Sequence, residues 1–328
     1  MKKLVCKLFL FYMAAMLSFA PMTSHAVSKK SHKQLSSSHK HKTVKYKSGS
    51  RKIHHRIRAR KAVVDTYDGT APLKLASAKA LVINQLTGET VYAKNTDLPT
   101  PIASLTKLMT AMVLLDAHLP MDDLIYIANE DVDHLKGTGS RLGVGTTLTR
   151  GELLQLALMA SENRAASSLG RNYPGGVTAF VTAMNNKAKF LGMKSTYFVD
   201  ATGLDSSNVS TAEDLVKMVN AAYHYPEIRQ VSTLPSQEVT LSGRHNPINF
   251  VNTNALVRGG SWTIGLSKTG FINEAGRCLV MQAEISGQPM IIVLLDSVGK
   301  MSRIGDANRI RKWVEHNDMA SLGEHVSG

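Results

Sequence analysis

The sequence predicts an α/β fold of the α+β kind. An antiparallel β-sheet is built from both ends of the chain and flanked by helices, with a helical subdomain inserted between those ends. Three observations carry this expectation. Two short strand-like runs flank a turn near residue 86, stretches of helical period fill the middle, and three successive strand-like runs come near the end. No internal repeat interrupts this order.

The first 26 residues read as an export signal. Lys2, Lys3 and Lys7 precede the apolar run 8–20, and Ser24-His25-Ala26 supplies the small residues that precede a cut after Ala26. The apolar run is too short to span a bilayer, so no transmembrane anchor is expected after cleavage. Cys6 precedes the apolar run, which argues against a lipid anchor. The exported chain then keeps one cysteine, Cys278, and no internal disulfide.

Residues 27–65 form a basic, His-rich tail expected to be disordered. Of the 39 Lys and Arg in the chain, 16 lie in residues 1–61, and the first acid is Asp65; residues 62–328 balance 23 basic against 25 acidic residues. The formal charge of +14 is therefore a property of the tail. Its charge implies loose attraction to an anionic envelope surface, while export removes the chain from nucleic acid. His32, His39, His41, His54 and His55 are irregularly spaced, and no metal site is assigned to them.

Residues 66–320 are expected to be the catalytic domain, followed by a short tail at 321–328. Runs 80–83 and 89–93 across Leu86-Thr87-Gly88 read as a hairpin. Residues 101–117, PIASLTKLMTAMVLLDA, read as a helix whose Leu108, Met109, Met112 and Leu115 recur at helical spacing. Thr149 to Glu152 is a capping-box pattern before the apolar run 153–159. Val177, Phe180, Met184, Ala188 and Leu191 mark the next helix, stopped by Gly192. Ser210 to Glu213 is a second capping-box pattern, before a helix ending near Tyr225-Pro226. Strands are expected at 266–272, 277–285 and 290–295, then a last helix over about 303–315.

The chemistry begins at Ser104 and Lys107, three residues apart and so on one helical face. A serine hydroxyl needs something to take its proton, and a lysine held neutral by burial or a nearby cation can do so. The pattern alone is common: Ser37/Lys40 and Ser297/Lys300 share it, and Ser104 could equally be a helix cap. Two further motifs change the balance. Ser161-Glu162-Asn163 closes an apolar helix, 57 residues on, and Lys268-Thr269-Gly270 lies on the first C-terminal strand, 107 residues further. Stray copies at Ser206-Ser207-Asn208 and Lys47-Ser48-Gly49 lack that context. The ordered triple is specific.

With these motifs the sequence resembles the penicillin-binding serine D,D-peptidases, which share a β-lactamase/transpeptidase-like fold. It is most similar to the low-molecular-mass D-alanyl-D-alanine endopeptidases of the periplasm. The resemblance rests on PIASLTKLMTAMVLLDA, LALMASENRAASSL with YPGG, FVDATGL with STAEDL, and SKTGFINEAGRCLVM, and it covers about 76–315.

The resemblance implies roles. Ser104 would be the acylated nucleophile, Lys107 its base, and Ser161 a proton relay to the leaving amine. Asn163 would hold the substrate amide, and Lys268 and Thr269 the carboxylate beside the scissile bond. Gly270 would let substrate backbone lie close, and the backbone N–H groups of Ser104 and Phe271 would form the oxyanion hole. No cofactor or metal is implied. The partners would be peptidoglycan stem peptides, with β-lactams as covalent inhibitors.

From charge alone, Lys268 near Lys107 would disfavour protonation of that base, and a cation beside a threonine hydroxyl suits a carboxylate. Cys278 reads as a buried small residue rather than a reactive thiol. Class A β-lactamases clear the acyl ester with a glutamate, whereas the corresponding stretch here offers only Asp200 and Asp205, so slow β-lactam turnover is expected. The motifs do not separate endopeptidase from carboxypeptidase, because both substrates place a carboxylate beside the bond. A wall-binding protein without catalysis is the reading from another class. The chain ends soon after its last helix, which points to a soluble or loosely surface-bound periplasmic enzyme.

Overall fold

The computed structural model describes residues 68–241 and 246–326. The export signal, the basic tail and its five histidines lie outside the described residues.

The hairpin forms as β1 (Ser77–Asn84) and β2 (Thr90–Lys94). The Asn84 side chain accepts the N–H groups of Leu86 and Thr87, which tightens the turn. Strand β3 (Thr100–Pro101) leads through a 3-10 turn at Ala103–Leu105 into α1 (Thr106–Asp116). Strands β4 (Leu124–Tyr126) and β5 (Thr147–Thr149) pair ahead of α2 (Arg150–Met159), α3 (Asn163–Arg171) and α4 (Gly176–Phe190). Strand β6 (Val209–Ser210) pairs with β3 and precedes α5 (Ala212–Tyr223) and α6 (Pro226–Ser232). A small hairpin, β7 (Ser236–Val239) and β8 (Ile248–Val251), is followed by α7 (Ala255–Gly259). The chain closes with β9 (Ile264–Ile272), β10 (Gly276–Ile285), β11 (Gln288–Ser297) and α8 (Ser302–Val326).

The main sheet has the order β2-β1-β11-β10-β9 and is antiparallel throughout. Its centre joins the two ends of the domain, with Ser77 opposite Ser297 and Asn84 opposite Met290. Both faces are covered. On β11, Ile291, Val293 and Leu295 pack with the helices of the middle segment, while Met290, Ile292 and Leu294 pack with Ala307, Ile310 and Val314 of α8. That is why this strand reads as an unbroken apolar run rather than an alternation. The buried Asp306 carboxylate pins α8 to the start of β1, accepting from the backbone N–H groups of Ala76 and Ser77 and from the Ser77 hydroxyl.

Three expectations shift. The Thr149 capping box forms as expected, but the second helix is capped by Thr211 with Asp214, not by Ser210 with Glu213. Ser210 is held in β6, its hydroxyl bonded to Thr196, and Glu213 bonds Thr96 instead. The last helix runs on to Val326, because nothing between Glu315 and Gly323 breaks a helix. Ser104 sits in the 3-10 turn ahead of α1, with Ala103 before it at φ 48°.

Candidate active site

The turn that carries Ser104 is strained and buttressed. Ala103 adopts a left-handed conformation that costs a non-glycine residue about 1–2 kcal/mol. It is held by the turn after Phe198, where Gly203 at φ +80° lies so close that a Cβ would stand 1.9 Å from the Ala103 carbonyl oxygen. Asp200 builds that turn by accepting from Thr202 and from the backbone of Gly203 and Asp205.

Lys107 is fully buried, and its Nζ lies 2.8 Å from Ser104 Oγ, 2.7 Å from Asn163 Oδ1 and 2.7 Å from the Thr202 carbonyl oxygen. A neutral amine has two N–H groups and one lone pair. The two carbonyl-type oxygens take the N–H groups, which leaves the lone pair facing the Ser104 hydroxyl. Burial pushes Lys107 down to about 7, while the charges of Asp200 and Glu162 pull it back up. Asn163 is oriented in turn by Thr138, whose hydroxyl oxygen accepts from Asn163 Nδ2 at 3.0 Å.

Ser161 and Asn163 are placed by the junction of α2 and α3. Ser161 takes φ 59°, which turns the chain sharply so that Asn163 can open α3. Glu162 is buried between them, accepting from the Ser140 hydroxyl at 2.6 Å and facing Arg141.

The opposite wall is β9, an edge strand of the sheet. Lys268 is buried, its Nζ donating to Ser161 Oγ at 2.8 Å and to the Thr269 carbonyl at 3.0 Å. Burial holds this amine well below the usual lysine range, and the charges of Lys107 and Arg303 lower it further. Burial is the largest cause that lowers each amine, and the repulsion between Lys107 and Lys268 disfavours charging both. Thr269 donates to the Thr253 hydroxyl at 2.7 Å, and Arg303 donates to the Gly270 carbonyl at 3.0 Å. A Cβ on Gly270 would meet Ile102 O at 3.0 Å and Ser104 N at 3.2 Å. Gly270 thus lets the Ser104 backbone approach β9, at a position where the resemblance implies room for substrate backbone.

The structure brings Ser104, Lys107, Ser161, Asn163, Lys268, Thr269 and Gly270 together, with Phe271 next along β9. Cys278 lies apart, fully buried, with its thiol pushed up to about 11 by burial, as expected of a packing residue. Sequence reasoning missed Thr138, Glu162, Thr202, Thr253 and Arg303. Thr202 acts through its carbonyl, which leaves no trace in a side-chain pattern.

A buried amine 2.8 Å from a serine hydroxyl, with a second buried amine near by, is an arrangement that can support acyl transfer to serine. Comparison with known proteins then places the chain. It belongs to the D-alanyl-D-alanine carboxypeptidase family, whose model matches residues 66–299. It is 49% identical over 249 residues to a D-alanyl-D-alanine endopeptidase of Pseudomonas aeruginosa, covering 76% of this chain and 80% of that one. It is 46% identical over 242 residues to a D-alanyl-D-alanine endopeptidase of Escherichia coli, covering 74% and 78%. Among solved structures, a DD-transpeptidase of Streptomyces superposes with a TM-score of 0.69 at 29% identity, over 74% of this chain and 98% of that one.

Proposed function

We propose that this protein is a serine D,D-endopeptidase that cuts D-alanyl cross-links between peptidoglycan stem peptides through an acyl-enzyme on Ser104. The observation that carries the reading is the Lys107 amine, 2.8 Å from the hydroxyl, with two acceptors fixing its N–H groups. Ser104 Oγ attacks the D-alanine carbonyl carbon as its proton passes to Lys107. The oxyanion forms between the backbone N–H groups of Ser104 and Phe271. As the C–N bond breaks, Lys107 gives up that proton through the Ser161 hydroxyl to the leaving nitrogen. Water then attacks the ester, Lys107 again taking the proton, and Ser104 is restored.

Asn163 would hold the substrate amide. Lys268 and Thr269 would bind the carboxylate of the leaving residue, whose negative charge would favour the ammonium form of Lys268. Two relatives named as endopeptidases support cross-links as the substrate, while a D-alanyl-D-alanine carboxypeptidase of Streptomyces, 31% identical, keeps the single-stem reaction as the second reading.

A fluorescent penicillin should label the protein, and Ser104→Ala should abolish the label; an unlabelled wild type overturns catalysis and leaves a wall-binding protein. Cross-linked dimers and pentapeptide stems, digested side by side and read by mass spectrometry, separate the two activities. Release of D-alanine with dimers intact would sink the endopeptidase assignment.

We also assign 66–320 as the catalytic domain and residues 1–26 as a signal that delivers it to the periplasm. No helix among the described residues is long and apolar enough to cross a membrane. N-terminal sequencing of the secreted protein should begin at Val27; an intact Met1 on it would refute the assigned cut.

A further inference from the structure

Thr253 stands at the carboxylate end of the cleft with no part in the roles above. Its backbone N–H donates to the Met159 carbonyl at 3.1 Å, two residues before Ser161, and its hydroxyl lies 2.7 Å from that of Thr269, the neighbour of Lys268. The residues on either side of it, Asn252 and Asn254, are buried, whereas Thr253 is half-buried and reaches solvent. The segment that carries it is clamped. Asn252 Nδ2 donates to the carbonyls of Ser232 and Leu234 at 2.9 and 2.8 Å, and its Oδ1 accepts the Asn254 N–H at 2.9 Å. Asn254 Nδ2 then donates to the Ser267 hydroxyl at 2.9 Å, which ties the segment to β9. The Thr253 hydroxyl is thereby held in place before any ligand arrives, which lowers the cost of binding one.

The direction of the bond between the two hydroxyls settles which of them can serve a ligand. Thr269 is buried and is the donor, its proton directed at Thr253 Oγ1. A hydroxyl carries one proton, so Thr269 has none left, while the Thr253 proton meets no acceptor among the described residues. Lys268 is in the same position. As an ammonium it has three N–H groups, and Ser161 Oγ and the Thr269 carbonyl take two of them. One N–H and one O–H therefore remain at this end of the cleft, and a carboxylate has two oxygens to receive them.

We propose that Thr253 binds the carboxylate of the leaving residue through its hydroxyl, and that Thr269 is a positioning residue acting through Thr253. The inference rests on the D,D-peptidase reading and assigns, within it, the hydroxyl that the substrate touches. With Thr269 donating to Thr253 and Thr253 donating to the carboxylate, the two bonds run in one direction and polarise each other. The charged acceptor makes the second bond stronger than one between neutral groups. The pair reads charge rather than shape. An amide in place of the carboxylate keeps one acceptor oxygen but turns an NH2 towards either the Lys268 N–H or the Thr253 O–H, and one donor then goes unpaired.

The test uses cross-linked dimers and D-alanyl-D-alanine stems, each with the leaving residue's carboxylate free or converted to a primary amide, and reads kcat/KM for both forms. The wild type should prefer the free carboxylate. Thr253→Val keeps the shape and removes the hydroxyl, and should shrink that preference about tenfold by slowing the acid form alone. Thr253→Ser should keep the preference within about twofold of the wild type. Thr269→Val should shrink it as well, and the double variant should lose little more than Thr253→Val alone, because the two hydroxyls act in series. A wild type indifferent to amidation, or a preference that survives Thr253→Val, overturns the assignment. So does a Thr253→Val that slows acid and amide alike, which marks a structural role, and a double variant whose losses add overturns the serial arrangement. All of these leave the peptidase reading standing. A wild type that neither takes the penicillin label nor cleaves any peptide overturns the peptidase reading, and this inference with it.

Discussion

Acylation of Ser104 should rise with pH through a limb centred near 7 and level off above it. Lys107 lies at about 7 instead of 10.5 because it is buried. That depression corresponds to about 5 kcal/mol in favour of the neutral amine. At pH 7 roughly half the molecules then carry a free base, against about one in three thousand for an unshifted lysine. The sign is set by which form reacts: only the neutral amine can take the serine proton, so lowering pH through 7 removes activity. Glu162 and Asp200 raise Lys107, so Glu162→Gln should move the limb to lower pH, by about one pH unit or less. Stopped-flow acylation by benzylpenicillin from pH 5.5 to 9.5 reads both effects. A rate still climbing through pH 9, or a limb that Glu162→Gln moves upward, would show that Lys107 is not the proton acceptor.

β-Lactam esters on Ser104 should persist for minutes or longer, because Asp200 is committed to its own turn and Asp205 accepts from Ser207 rather than activating water. Intact-protein mass spectrometry after removal of free drug checks this, and many turnovers per second would refute it. Gly203→Ala should cost more than about 3 kcal/mol and abolish penicillin labelling, since it combines a positive φ with a Cβ inside contact distance of the Ala103 carbonyl. A variant with unchanged Tm and normal labelling would show that the turn yields more easily than its geometry implies.

Much of the fold was legible because its signals are local. The Asn84 turn, the Thr149 cap and the glycine stop at Gly192 each depend on a few neighbouring residues. The grouping of Ser104, Lys107, Ser161, Asn163, Lys268 and Thr269 was legible because three motifs, each common alone, stand in a specific order at helix ends or on a strand. What escaped depends on distant partners. No local pattern tells that Thr138 would orient Asn163, that Ser210 would be claimed by Thr196, or that the Gly270 hydrogen faces Ser104. The short paired strands β3 and β6 escaped as well, since two residues carry no periodicity.

The pairing of Ser77 with Ser297 makes this a catalyst that cannot be assembled piecemeal. Until the final strand slots between the first and its hairpin partner, β9 and Lys268 are tied to the rest of the domain only by side contacts such as Ser267 to Ser232 and Thr269 to Thr253. A chain still emerging, or clipped before that strand, therefore has every reactive side chain but lacks the strand that joins β9 and β10 to β1.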